Sequence, residues 1–376
     1  MKKLAVLLRF PATFLFLSLL GGVFLNQLTG IVTFDRKSEN RNFRDSVTFN
    51  LALLDPFPAD FEAYFSDNFS FRRPLLDLYH HLSFYYFHLS PHPDKTLIGN
   101  NNWFFMAGKE KSIIAGDITF SSSELKQLEN IWQYRKHYLD SLGIPFMWLV
   151  APMKHHVYPE YLPFETRKTD HTRTAQLIAH FDKNLPGVLF DLRPILIAAK
   201  KNNKLFYQLD NHWNFHAGEV ASNLIIKQLQ AKLPDASIPD LSPVSWRDSL
   251  VQNGIHYHVL GIDALYEIDQ VPVVHHEKAS IAIKHGYPPL PYFAYPDDYE
   301  MRFTAKKEGK GLKLLIIRDS FGNQLIPFVK ESFEETVLIF DGWQYGLNND
   351  IIKHFKPDVV IFLTSEVHID NMLVSN

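Results

Sequence analysis

From Ser121 onward the chain alternates between stretches with helical spacing and short apolar runs with almost no charge, and this alternation constrains the fold more than any other feature. Ser121 and Glu124 have the spacing of a capping box, in which each closes on the other's backbone N–H. Leu125, Leu128, Ile131, Trp132, Tyr138 and Leu139 then follow a helical period, and Gly143 is placed to end it. "IPFMWLVAP" reads as a buried strand closed by Pro152. "TRTAQLIAHFDKNL" predicts a helix, "GVLFDL" a strand and "AGEVASNLIIKQLQAKL" another amphipathic helix. From Gly311 the pattern resumes with the strand "LKLLII", the junction "RDSFGN" and a helix through "QLIPFVKESF". The strand "TVLIF", the helix "IIKHF" and the strand "DVVIFL" complete it. Such an order predicts an α/β domain whose mostly parallel sheet carries helices on both faces. In such sheets functional groups collect beyond the carboxyl ends of the strands. Three segments fall there: "APMKHHVYPE", "RDSFGN" and "TSEVH".

The N-terminus belongs to a different regime. Lys2, Lys3 and Arg9 precede an uncharged run from Phe10 to Phe34. That run exceeds the roughly 20 residues that cross a bilayer as a helix, and the basic flank favours a cytoplasmic N-terminus. A cleaved signal peptide is the alternative, but its apolar region usually spans only about 7–15 residues. An uncleaved anchor over 1–34 is therefore expected, with the remainder outside the inner membrane. Residues 35–95 read as a helical, aromatic-rich connector, and the main domain is expected over 96–376, starting from "LIGNNNWFF". The stretch around 235–311, rich in Pro, His and Tyr, is expected to form irregular insertions. A formal net charge of -3, with no basic runs interleaved with aromatics, gives no reason to expect nucleic acid. The absence of cysteine excludes disulfides, thiolate metal sites and a cysteine nucleophile.

Two places carry candidate chemistry. Ser320 follows "LLIIRD" directly and precedes a helical pattern, so it stands at a strand–turn–helix junction. Such a junction exposes the hydroxyl and points helix-start N–H groups toward it, which is part of an oxyanion hole. The competing reading is that Asp-Ser simply caps the helix. "QLDNHWNFHAG" supplies Asp210, His212 and His216. Asp210 and His212 are two apart, so a carboxylate can fix one imidazole nitrogen and leave the other for Ser320. His212 and His216 have the i, i+4 spacing of a helical metal pair, with Asp210 as third ligand. Helix initiation after His212 would spoil that spacing. His155-His156 and His275-His276 are further metal candidates, although adjacent pairs rarely converge on one ion. A polar helix start with no chemistry is the third reading.

Taken in order, "YFSDNFSFRRPLL", "LIGNNNWFF", "GIPFMWLVAPMKHHVYPEYLP", "VLFDLRPIL", "YQLDNHWNFHAG" and "LLIIRDSFGNQLIPFV" resemble the SGNH-hydrolase-like acetyltransferases of the alginate O-acetylation (AlgJ/AlgX) type. The resemblance covers approximately residues 60–370. It implies an SGNH-hydrolase-like (flavodoxin-like) sheet, with the family's Asp-x-His motif on Asp210 and His212 and its nucleophile on Ser320. It implies no metal and no cofactor beyond an acetyl donor. The implied activity is transfer of acetyl groups to hydroxyls of an exopolysaccharide in the periplasm, with a multi-pass membrane O-acyltransferase as partner. An acetyl esterase using the same residues, a non-catalytic polysaccharide-binding scaffold and a metal-dependent hydrolase built on Asp210, His212 and His216 are the alternatives. Asn323 and the backbone of Ser320 are candidate oxyanion donors, and Trp213 is a candidate for substrate contact.

Overall fold

The computed structural model describes residues 10–32, 44–49, 55–69, 71–166, 169, 171–251, 254–260, 262, 265–273, 279–282, 299–305 and 311–373. The chain forms two compact units, Met1–Pro91 and His92–Asn376. Lys2, Lys3, Arg9, His275 and His276 lie outside the described residues.

In the first unit, α1 (Pro11–Thr29) opens with proline where its missing N–H costs nothing. Gly30 ends the helix in the left-handed conformation, its N–H returning to Asn26 O. Asn26 then uses both side-chain atoms to hold the backbone of Val32. The helix is long and apolar enough to cross a membrane. Two amphipathic helices follow, α2 (Phe57–Asn68) and α3 (Arg72–His81). Phe57, Phe61, Phe65 and Phe69 stack in succession at i, i+4 spacing.

The second unit begins with a small hairpin, β1 (Thr96–Ile98) and β2 (Phe104–Met106), and a short helix α4 (Lys109–Ala115). Helix α5 (Ser122–Ser141) starts at the predicted capping box, with both reciprocal bonds present, and stops before Gly143 at φ 69°. Then come β3 (Phe146–Ala151), the single turn α6 (Lys154–Val157), α7 (Arg173–Asn184), β4 (Leu189–Asp191), α8 (Arg193–Ala199) and α9 (Phe215–Lys232). Next are β5 (Ser245–Val251), α10 (Ile255–Leu260), β6 (Glu267–Val273), β7 (Ala279–Ala282) and β8 (Glu300–Ala305). The chain closes with β9 (Lys313–Arg318), α11 (Ile326–Val329), β10 (Glu335–Phe340), α12 (Asn349–Phe355) and β11 (Val359–Ser365).

One sheet of order β4-β3-β11-β9-β10-β8-β7 organises this unit. Its first five strands pair in parallel, and β8 and β7 add antiparallel at one edge. The central strands β3 and β11 are buried at every position, as expected when both faces are covered. Apolar clusters on the two faces account for this. One gathers Leu149, Trp213, Ile225, Phe321 and Leu363, the other Trp132, Trp148, Phe181, Ile317 and Phe362. The architecture is an α/β fold with a mixed, mostly parallel sheet covered on both faces.

Two expectations need correction. The described residues of 235–311 are more regular than their composition suggests. β5 and β6 pair in full antiparallel register from Ser245↔Val273 to Val251↔Glu267, and β8 extends the main sheet. Pro272 argues against a central strand, but a two-stranded ribbon has only edges, where a missing N–H is tolerated. The helix expected through 324–333 is a 3-10 turn, Ser320–Leu325, and then the single turn α11. Pro327 has no N–H to donate in a helix interior and sits instead at the start of a new turn.

Candidate active site

Segment 205–214 folds back on itself as a tight loop. Phe206 bridges Trp213, Tyr207 N–H bonds His212 O at 3.2 Å, and Asn214 N–H bonds Leu205 O at 2.9 Å. Asp210 and His212 occupy its tip. The Asp210 carboxylate accepts from His212 N–H at 2.8 Å and faces Nδ1 of the same residue at 2.5 Å. The second imidazole nitrogen, Nε2, lies 2.7 Å from Ser320 Oγ, 108 positions along the chain. Burial pushes the His212 pKa down, but the hydrogen bond and charge of Asp210 outweigh it, and the net shift is upward from 6.5.

Ser320 is placed by its neighbours. It begins the 3-10 turn directly after β9 and remains partly exposed. Asp319 is almost fully buried and caps this turn, accepting from Phe321 N–H at 2.9 Å. Its other oxygen accepts from Tyr345 OH at 2.6 Å and from Ser365 N–H, at the end of β11, at 2.7 Å. Burial alone would raise the Asp319 pKa; the His368 imidazole nearby and the bond from Tyr345 instead hold it below 3.8. Arg318, fully buried, lies over the Phe340 ring and donates to Asp319 O. Its side chain fills the space beside Gly322, where a Cβ would approach to 2.8 Å. The turn is therefore tied to β10 and β11 on both sides of the serine.

Sequence reasoning missed the groups that hold the base loop. Glu267, on β6, accepts from the backbone N–H groups of Gln208 and Leu209 at 2.7 and 3.2 Å. Asp269 accepts from Asn214 Nδ2 at 3.1 Å and pairs with Lys204 at 2.7 Å. Lys154, 3% exposed, donates to Phe104 O and Gln208 O. Burial lowers its pKa to about 7, against the opposing charges of Asp210, Glu267 and Glu110. Glu110 rises to about 7 by burial, with Lys154 opposing. Lys154 lies in the strand-end segment "APMKHHVYPE", but nothing in the sequence singles it out there, and the others sit in no motif.

The remaining candidates separate. Helix α9 begins at Phe215 with Asn214 as its N-cap, so His212 lies outside it and the helical pair is not formed. His216 instead stacks on Trp246 at 3.8 Å and meets Gln270 Oε1 at 3.0 Å, away from Asp210. Trp213 is fully buried and donates Nε1–H to Phe321 O at 2.8 Å, which puts it beneath the turn and out of reach of a substrate. Asn323 is exposed, three residues beyond Ser320. His155 and His156, contrary to the expectation for adjacent histidines, converge with Glu366.

Residues 96–271 match the family model described as SGNH hydrolase-like domain, acetyltransferase AlgX. That match contains Asp210 and His212 and ends ahead of Ser320. Among solved structures, Bacillus cereus PatB1 superposes with a TM-score of 0.52 at 16% identity, covering 73% of this chain and 96% of that one. A DHHW family protein from Eubacterium siraeum gives 0.50 at 16% identity, covering 74% and 95%. The O-acetyltransferase domain of Pseudomonas putida AlgJ gives 0.44 at 17% identity, covering 73% and 92%. No curated protein matches the chain. At such identities the first two likenesses are likenesses of fold, and the family match over 96–271 is to acetyltransferases.

Proposed function

We propose, from the similarity of residues 96–271 to SGNH hydrolase-like acetyltransferases, that this protein is a cell-envelope O-acetyltransferase working through an acyl-serine. The observation that carries the reading is the 2.7 Å approach of His212 Nε2 to Ser320 Oγ, with Asp210 on the opposite nitrogen. In the first step His212 takes the Ser320 proton as Oγ attacks the acetyl carbonyl. The resulting imidazolium returns that proton to the departing donor group. In the second step a sugar hydroxyl loses its proton to His212 and attacks the acyl-serine, and the proton then goes back to Oγ. Asp210 keeps the ring in the tautomer that presents a lone pair to the serine. Phe321 N–H is committed to Asp319, so the Ser320 N–H at the start of the turn is the proposed oxyanion donor, with Asn323 as a second.

The acceptor is proposed to be an exopolysaccharide. The acetyl donor would be supplied by a multi-pass membrane O-acyltransferase, with no cofactor or metal resident in the site. Helix α1 would anchor the enzyme to the inner membrane, leaving the second unit on the periplasmic side. Ser320→Ala is expected to abolish acetyl release from a chromogenic acetyl ester and polymer acetylation in cells, while the thermal transition moves by no more than about 2 °C. Full activity in a folded Ser320→Ala protein would defeat the proposal. Activity that vanishes with chelator and returns with zinc at a constant folded fraction would favour metal chemistry instead.

A further inference from the structure

The carboxyl ends of β3 and β11 lie side by side, with Ala151 and Ser365 in register. The turn after each strand contributes side chains to one buried point. His155 and His156 come from α6, and their rings sit 4.0 Å apart, centroid to centroid. Glu366 follows β11 and is fully buried. One ligand atom from each of the three lies within 4.8 Å of the others. Four-coordinate zinc ligands at 2.0–2.2 Å stand about 3.3 Å from one another, so closure needs shifts of about an ångström.

An ordinary ion pair does not account for the whole arrangement. His156 Nε2 meets Glu366 Oε1 at 2.9 Å, but His155 Nε2, buried in the same place, has no hydrogen-bond partner. An imidazole nitrogen buried without a partner is destabilising. The carboxylate is also braced as metal-binding carboxylates are. Met153 N–H donates to Oε2 at 3.2 Å, and the Thr174 hydroxyl donates to Oε1. The nearby guanidinium of Arg193 is engaged by the Asp191 carboxylate.

We propose that His155, His156 and Glu366 form a structural site for a divalent transition metal of the zinc class. Two imidazoles and a carboxylate suit such an ion, with His156, at the partly open side, facing the fourth position. The site is not the reacting centre. It lies one residue from Ser365, whose N–H holds Asp319, so a bound ion would tie β3 and β11 together behind the Ser320 turn.

The test uses the full-length, tag-free protein in detergent, stripped with chelator and titrated with zinc chloride. One zinc per chain should bind, and Tm should rise by about 5 °C at a hundredfold excess over Kd. Ser320→Ala should bind zinc equally, which separates this inference from the proposed catalysis. His155→Leu removes the unpartnered nitrogen. It should leave the zinc-free protein at least as stable as the parent, weaken binding at least tenfold and abolish the Tm rise. Glu366→Gln should do the same to binding, and His155→Leu decides the matter if that variant does not fold. No zinc-dependent rise in the parent protein, or a rise that survives His155→Leu, would overturn the proposal.

Discussion

Asp319 is where stability and catalysis meet, and replacing it separates the contributions. Its carboxylate accepts three hydrogen bonds, from Phe321 N–H, Tyr345 OH and Ser365 N–H, in a position only 2% exposed. Alanine leaves three donors without acceptors, each costing about 1–3 kcal/mol, so Asp319→Ala should lose roughly 3–9 kcal/mol. Asparagine keeps an oxygen for Phe321 N–H, and Tyr345 can reverse its hydroxyl to accept from the new amide. Only Ser365 N–H is then stranded, for about 1–3 kcal/mol. Both variants should lose on the order of 100-fold in kcat, because a Ser320 shifted by about an ångström leaves the reach of His212. Urea unfolding followed by tryptophan fluorescence, with acetyl-ester turnover at 25 °C, reads both quantities. The sign with pH is also fixed. The folded Asp319 pKa is depressed below 3.8, so its contribution is present above that value and fades as pH falls through the folded pKa. Asp319→Asn should lack that acid-dependent component. Equal losses from Ala and Asn, or an Asp319→Ala protein with parental kcat, would refute the three-bond account.

Three further expectations follow from the same geometry. The raised His212 pKa places the acidic limb of kcat/KM above pH 6.5, with activity lost as pH falls through it; Asp210→Asn should move that limb down and cost roughly 10³–10⁴ in kcat. Gly218→Ala would put a Cβ 2.2 Å from Gln324 O, so urea unfolding should show a loss of about 1–3 kcal/mol; a gain of about 1 kcal/mol, as helix propensity alone dictates, would show that the contact is not rigid. Trp213→Phe removes the bond to Phe321 O and should cost about 1–3 kcal/mol with a parallel fall in kcat, whereas an unchanged kcat would mean that this bond does not set the Ser–His distance.

The parts of the fold legible in the sequence are those whose information is local. The α5 capping box, the helical spacing of α7 and α9 and the apolar runs of β3, β9, β10 and β11 each carry their own period, and each forms as read. The β5–β6 ribbon is not legible, because Pro272 and its exposed polar positions obey edge-strand rules that look irregular in one dimension. Within the candidate site, the pairing of Asp210 with His212 is a two-residue relation and can be read directly. Their approach to Ser320 depends on the sheet order, so the residues alone leave it as one reading among several and the resemblance favours it. Lys154 and Glu366 lie in strand-end segments that the sequence marks only as a whole, and Glu267 and Asp269 carry no signal, since what distinguishes all four is burial against partners far away in the chain.

The distance between base and serine is held by the residues that follow each of them. Trp213, next to His212, bonds the carbonyl of Phe321, next to Ser320, and the His212 ring packs against Phe321 at 4.9 Å. A second link lies behind the first. Helix α9 starts at the base loop and approaches the serine turn so closely at Gly218 that no side chain fits. The turn itself is tied through Asp319 to β11, a tie that owes nothing to the base loop. A disturbance of α9 should therefore move His212 away from a fixed Ser320, and a disturbance of Asp319 should move Ser320 away from a fixed His212. The two are distinguishable by pH. A shift of α9 that leaves Asp210 on His212 should lower kcat with the acidic limb in place. Replacing Asp319 also removes a negative charge that raises the His212 pKa and should move that limb down.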